Sequence, residues 1–311
     1  MKDLLISHVA DVDGVSPVIL LKLCDVDFEY KLLEIYEVET YMTQFLQTDL
    51  SHYEHIYIVD VTIPDTIYTV LQSHDQQSKF YIFDHHKTHL YAKEYPNVTI
   101  DINECGTSLF YQYLKKEYPN VLIQKENVFH YIETVRDLDI WLWPQKQNMM
   151  APKLGTLFDF YGADRYIEVM ESRLRKEDTF YLDDFEERYL LLEEEKKNRY
   201  IEKKKEKMFF LTIENYHASV LFAENYRNEI GKKLMQENPD LDCVVTINMQ
   251  GGISFRTDKE NVDLSELASH YGGGGHQKAA GAPVSKENQE IFLKQLFKGC
   301  EIHESREGSS W

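Results

Sequence analysis

At 311 residues, with 43% hydrophobic and 13% aromatic content, the chain can bury the core of one large globular domain or two ordinary ones. Its 53 acidic and 34 basic residues leave a formal charge of −19. That charge repels polyanions at long range and disfavours binding of long duplex nucleic acid, which requires many phosphates to be neutralised by Lys and Arg. A short phosphate-bearing ligand at a local cation site is compatible with it.

The first segments alternate between strand and helix. Leu4 to Ser7 is an apolar run that ends in His8-Val9-Ala10-Asp11-Val12-Asp13-Gly14, and Val15 to Leu23 has the apolar density of a buried helix. Phe28 to Ile35 reads as a strand and Glu37 to Gln47 as a helix. His55 to Asp60 is again an apolar strand ending in an acid, and Pro64 suits the first turn of a following helix. Lys79 to Asp84 repeats the pattern and releases His85 and His86 side by side. Strands alternating with helices predict βαβ units and a mostly parallel sheet, whose carboxyl edge is where open α/β folds build their sites.

Gly106 to Glu117, with Thr107 and Ser108 as candidate caps, and Glu126 to Asp137 carry helical apolar spacing, as does the region from Leu154 to Arg175. Asp183 to Lys207 is dominated by Glu, Lys and Arg without Gly or Pro, and reads as a solvated, semi-rigid helical connector. Beyond it the pattern changes to α/β of another kind. Phe209 to Ile213 and Ala218 to Ala223 read as paired strands, Asn225 to Gln236 as a helix, and Cys243 to Asn248 with Ile253 to Thr257 as a hairpin turned at Gly251-Gly252. Val262 to His270 is a short helix, Tyr271 to Gly281 a glycine-rich loop, Glu287 to Leu296 a last helix, and the tail from His303 is polar and expected to be mobile. The expected organisation is a domain over 1–182, a linker over 183–207 and a smaller mixed α/β domain over 208–311.

The four cysteines, Cys24, Cys105, Cys243 and Cys300, have no paired spacing. The amino-terminal residues lack the pattern of a signal peptide, and no run approaches about 18 uninterrupted apolar residues. The expectation is a soluble, reduced, cytoplasmic protein with no membrane partner, in which the Asn97-Val98-Thr99 sequon is coincidental.

Three strands therefore deliver acids at their ends: Asp11 and Asp13, then Asp60, then Asp84 with His85 and His86. Asp137 and Asp139 lie where the helix from Glu126 ends; Asp137 is preferred because it follows the predicted helix directly. Singly, each has a plainer reading, Asp13 as a turn residue before Gly14 and Asp60 as a helix cap. Gathered at one edge, the acids would repel each other by roughly several kcal/mol unless a multivalent cation neutralised them. Carboxylate with imidazole suits manganese or another borderline first-row ion better than magnesium. Five or six ligands suggest two ions bridged by a carboxylate, as in phosphoryl transfer, and Asp60 at the middle strand is the candidate bridge.

Asp11-Val12-Asp13-Gly14, Val59-Asp60, Asp84-His85-His86 and Arg136-Asp137 resemble the four ordered motifs of the DHH phosphoesterase superfamily, and Gly272-Gly273-Gly274-Gly275-His276 with Ala279-Ala280-Gly281 resembles the signature of its DHHA1 substrate domain. The resemblance implies a dinuclear manganese site with Asp11, Asp13, Asp60, His85 and Asp137 as ligands. It implies that His86 meets the substrate phosphate and that Asp84 stands behind, orienting a ligating imidazole. His8 precedes Asp11 by three positions, where relatives place a histidine two or four ahead; a local bulge would bring it to the metal, and it is kept as a candidate ligand.

Four consecutive glycines are costly in backbone entropy. Either they form a flexible surface loop, or their N–H groups form a nest for an anion beside His276 and Lys278. Arg256 on the hairpin strand is either a fork for phosphate or a surface ion pair. Gly274, Gly275, His276 and Arg256 are the candidate substrate-binding residues, and Arg256 matches an arginine of the relatives. The function implied is manganese-dependent hydrolysis of short oligonucleotides by a two-metal mechanism. The alternatives are a 3′-phosphoadenosine 5′-phosphate phosphatase, a cyclic-dinucleotide phosphodiesterase, and a non-catalytic nucleotide sensor, which lost ligands would mark. The sequence leaves the oligomeric state open, a homodimer included.

Overall fold

In the computed structural model, which describes residues 2–118 and 122–298, the chain divides into two units between Leu190 and Leu191. Cys300 and the tail from His303 lie outside the described residues.

The first unit is built on five parallel strands, β1 (Lys2–His8), β2 (Phe28–Leu33), β3 (Tyr53–Val59), β4 (Phe80–Asp84) and β5 (Val98–Ile100), in the order β2-β1-β3-β4-β5. Strand alternation sends Leu5, Tyr57 and Phe83 to one face, under α1 (Val12–Leu23), α4 (Gly106–Glu117), α5 (Glu126–Asp139) and α7 (Met150–Lys176). It sends Leu4, Ile6, Ile56, Ile58 and Ile82 to the other, under α2 (Val38–Phe45) and α3 (Asp65–Ser73). Both faces are thus covered, as a parallel sheet requires, and a fully buried Ile such as Ile58 contributes about 2 kcal/mol. The strand order reverses between β1 and β3, which opens a crevice beyond their carboxyl ends. A short α6 (Trp143–Lys146) links α5 to α7, and α7 is broken at Gly162, whose φ of 69° is outside the helical region.

The charge-rich segment is helix α8 (Asp184–Lys205). It is not solvated throughout. Glu186 is buried and paired to Arg173 at 2.6 Å, and Ile201 is buried against Leu221, Ile230 and Leu234.

The second unit is a mixed sheet of β6 (Phe209–Ile213), β7 (Tyr216–Phe222), β8 (Cys243–Asn248), β9 (Gly252–Arg256), β10 (Gly274–His276) and β11 (Ala279–Ala282), in the order β10-β11-β9-β8-β7-β6. Only β7 and β8 pair in parallel. Helix α9 (Arg227–Glu237) packs on one face and α10 (Leu264–Ser269) on the other, and α11 (Lys286–Leu296) closes the described chain. The glycine-rich stretch is not a loop. Gly274 to His276 pairs with Ala279 to Gly281, and a Cβ on Gly273 would lie 2.0 Å from the Gly281 carbonyl oxygen. Close strand approach thus accounts for part of the run. No helix among the described residues is long and apolar enough to cross a membrane.

The amino terminus of α4 abuts the end of β3 so closely that a Cβ on Gly106 would sit 2.7 Å from the Asp60 Cβ. Gly106→Ala should therefore destabilise the first unit by about 1–3 kcal/mol through overpacking, lowering Tm in calorimetry by several degrees.

Candidate metal centre

Asp13 illustrates how the local sequence builds the site. Asp11 caps α1, accepting the Gly14 N–H at 2.8 Å, which sets Asp13 in the first turn. Pro17 has no N–H for the Asp13 carbonyl, and the Thr107 hydroxyl donates to that oxygen instead, at 2.6 Å. The Asp13 carboxylate then faces the amino terminus of α4, accepting the N–H groups of Gly106 at 2.8 Å and Thr107 at 2.9 Å.

Asp60 follows β3 in the left-handed region, φ 56°, which Asp tolerates better than most residues. Its N–H extends the ladder to the Phe83 carbonyl at 2.9 Å. The site centres on His85 Nε2, which lies 3.3 Å from Asp60 Oδ1, 3.3 Å from Asp139 Oδ2 and 4.0 Å from Asp13 Oδ2. His8 joins from the end of β1, with its Nδ1 3.5 Å from Asp11 Oδ2, and the irregular spacing does not keep it away.

Asp137 is not brought to this cluster. Helix α5 continues to Asp139, and two residues on a helix are about 200° apart, so the two carboxylates face opposite ways. Asp137 accepts from Lys146 Nζ at 2.6 Å and Asn148 Nδ2 at 3.0 Å, while Asp139 reaches His85.

Asp84 also differs from its expected role. Fully buried, it accepts the backbone N–H of His85 at 2.8 Å, but the rings it holds are those of His86, at 2.7 Å from Nδ1, and His89. Burial raises its pKa, but the hydrogen bonds from His86 and His89 outweigh that, and the carboxyl is held far below its usual range. In return the Asp84 hydrogen bond raises the pKa of His86, whose side chain is 47% exposed. His89, buried with an unpartnered Nε2, was not singled out in the sequence. Its one signal is its place three residues after His86.

Charge is the dominant feature. Burial, then the neighbouring carboxylates, pushes the Asp60 pKa well up and that of Asp139 to about 8; burial raises Asp13 as well. At Asp11 the hydrogen bonds from His8 and Gly14 overcome burial and lower the pKa, and burial lowers that of His85. His8 Nε2 and Asp139 Oδ2 are buried without a hydrogen-bond partner among the described residues. Ligand atoms of His8, Asp11 and Asp60 lie within 4.8 Å of one another, as do those of Asp13, His85 and Asp139, and those of Asp60, Asp84, His85 and His86. Orphaned donors and repelling carboxylates with imidazoles among them fit a divalent cation.

In the second unit, Arg256 is half-buried and makes no ion pair among the described residues. Asn228 Oδ1 accepts from its Nε at 3.0 Å, and the Phe255 carbonyl from Nη1 at 2.8 Å. Arg227, which the sequence reading missed, donates to the carbonyls of Thr246, Gly251 and Gly252. The two arginines, with Ser254, Gly274 and Gly275, line an open depression of 720 Å³. His276 is exposed at the end of β10, and the charge of Lys278 is taken up by Glu260.

Residues 207–300 match the DHHA1 domain family. The oligoribonuclease NrnB of Bacillus subtilis is 32% identical over 302 residues, spanning 93% of this chain and 74% of NrnB. The chain belongs to the DHH/DHHA1 phosphoesterase superfamily. A 3′,5′-cyclic-nucleotide phosphodiesterase of Helicobacter pylori is 22% identical over 267 residues, 74% of this chain and 76% of that protein. The solved structure of PggH, a pGpG-specific phosphodiesterase of Vibrio cholerae, shares the fold, with a TM-score of 0.55 and 16% identity over 95% of this chain and 97% of that one.

Within this DHH site the two acids of α5 should separate cleanly. In titration calorimetry of metal-stripped protein, Asp139→Ala should weaken divalent-cation binding about tenfold or more. Asp137→Ala should bind normally but melt lower, by about 1–3 kcal/mol of lost buried hydrogen bonding. Asp84→Asn should lower the pH at which metal-free His86 releases its proton, read from imidazole NMR shifts, because the carboxylate that favours the imidazolium is gone.

Proposed function

We propose that this DHH protein hydrolyses phosphodiester bonds of short oligonucleotides, with manganese as its cofactor, held by His8, Asp11, Asp13, Asp60, Asp139 and His85. The observation that carries the reading is His85 Nε2 within 4.0 Å of three carboxylates, next to a half-exposed His86 tied to Asp84. Bound divalent ions would neutralise those carboxylates and supply Lewis acidity toward the phosphoryl oxygens.

The rest falls to the chain's own side chains. Asp84 orients His86 through Nδ1 and favours its protonated form, so that Nε2 faces outward as a charged donor to a phosphate oxygen. Asp13 is fixed by two N–H groups of α4, and Asp60 by its N–H bond to the Phe83 carbonyl at the end of β3. Arg256 and Arg227, with no carboxylate partner among the described residues, would bind a substrate phosphate, with Gly274 and Gly275 lining the same depression and His276 next along β10. Few uncompensated cations in a chain of charge −19 favour a substrate of few phosphates. The names of NrnB and PggH, an oligoribonuclease and a dinucleotide phosphodiesterase, agree with that size class.

The test is hydrolysis by metal-stripped protein reloaded with manganese, magnesium or neither. The panel is a dinucleotide, a pentamer, a long single strand, a cyclic dinucleotide, 3′-phosphoadenosine 5′-phosphate and pyrophosphate. The expected outcome is manganese-dependent cleavage that is fastest on the shortest linear diesters, and loss of at least about a hundredfold in kcat for Asp60→Ala and His86→Ala. Wild-type rates in both variants, or cleavage of pyrophosphate alone, would overturn the proposal.

A further inference from the structure

Helix α5 ends in a way that no packing demand explains. The Leu142 N–H donates to the Asp137 carbonyl at 2.9 Å and the Trp141 N–H to the Leu138 carbonyl at 3.3 Å. This is the paired-bond termination in which the first residue past the cap adopts the left-handed conformation, a position glycine usually fills. Here it is Trp141, at φ 60°. The backbone strain of a bulky residue in that region is not repaid by burial, for 64% of Trp141 is exposed. Its ring meets Trp143 edge-on, centroids 5.5 Å apart at 70°, which braces one edge of the indole. A large ring held in a strained turn and left open to solvent is costly in the free protein, and contact with a ligand would offset that cost.

Position identifies the ligand. Trp141 stands two residues beyond Asp139, a separation the chain can stretch to about 7 Å at most, and Asp139 reaches His85 at the centre of the metal cluster. That reach is comparable with the span from a phosphate, across its ribose, to the base. Resting on the phosphodiesterase reading above, we propose that the Trp141 indole is a stacking platform for a nucleobase flanking the phosphate to be cleaved. Stacking needs no positive charge and accepts any base, so it suits a strongly acidic protein acting on short oligonucleotides of mixed sequence.

The test compares wild type, Trp141→Gly and Trp141→Phe with manganese on a dinucleotide and on the same dinucleotide with both bases replaced by hydrogen. Trp141→Gly relieves the left-handed strain, so its Tm should equal or exceed that of wild type. Its KM for the dinucleotide should rise about tenfold, the scale of one lost stacking contact, with kcat and manganese affinity held. On the base-free diester the glycine variant and wild type should match, and Trp141→Phe should restore most of the dinucleotide KM. An unchanged KM in Trp141→Gly would overturn the platform while leaving the phosphodiesterase reading intact. So would an equal loss on both substrates, which would mean that Trp141 acts by shaping Asp139. If wild type cleaves no dinucleotide, both readings fall together.

Discussion

Asp13, Asp60 and Asp139 crowd one imidazole nitrogen at the carboxyl edge of the parallel sheet, and their mutual repulsion is the constraint that much of the first unit answers to. Burial and then the neighbouring carboxylates push the Asp139 pKa up to about 8, so the site disfavours its charged form. The protein relieves only part of this. It gives Asp13 two N–H groups at the start of α4 and leaves Asp60 and Asp139 largely to His85. Neutralisation by a cation that binds only the folded state would recover the remainder, and cation binding would then be linked to folding of this unit.

The neighbouring histidines show how one strand end serves two purposes. Successive residues of a strand face opposite ways, and β4 ends at Asp84, freeing His85 and His86 from that alternation. Asp84 makes the division stable. Its backbone-directed bond fixes the turn at His85, and its side-chain bonds hold His86 and, from behind, the buried His89. His85 keeps its Nε2 for the carboxylates, and His86 carries a raised pKa at the solvent side.

The fold class was legible in the sequence because acid-terminated apolar runs recur at βαβ spacing, and that periodicity survives any uncertainty in the helix ends. What escaped depended on such ends or on contacts distant in sequence. The choice between Asp137 and Asp139 turned on where α5 stops, and the stop carries Trp141 where a glycine would have signalled it. The glycine run read as a loop because its pairing partners, the alanines and glycine of β11, carry almost no strand signal of their own. Glu186 looked like one more charge on a solvated helix, and only Arg173, thirteen residues earlier, makes it a buried ion pair. Arg227 lacked a motif, and it becomes notable only beside Arg256.

An acidic protein that handles phosphate must confine its attraction for anions to a few points. On the proposed reading those points are the candidate cation site, His86, and two arginines whose partners among the described residues are carbonyls, a hydroxyl and an amide instead of carboxylates. Each additional phosphate of a longer strand would meet a surface whose net charge opposes it, so affinity could not grow with length as it does for basic nucleases. On that reading, selectivity for short substrates would need no steric block. It would follow from making attraction local and repulsion global, and from drawing the remaining affinity from uncharged contacts such as the exposed ring of Trp141, two residues beyond Asp139.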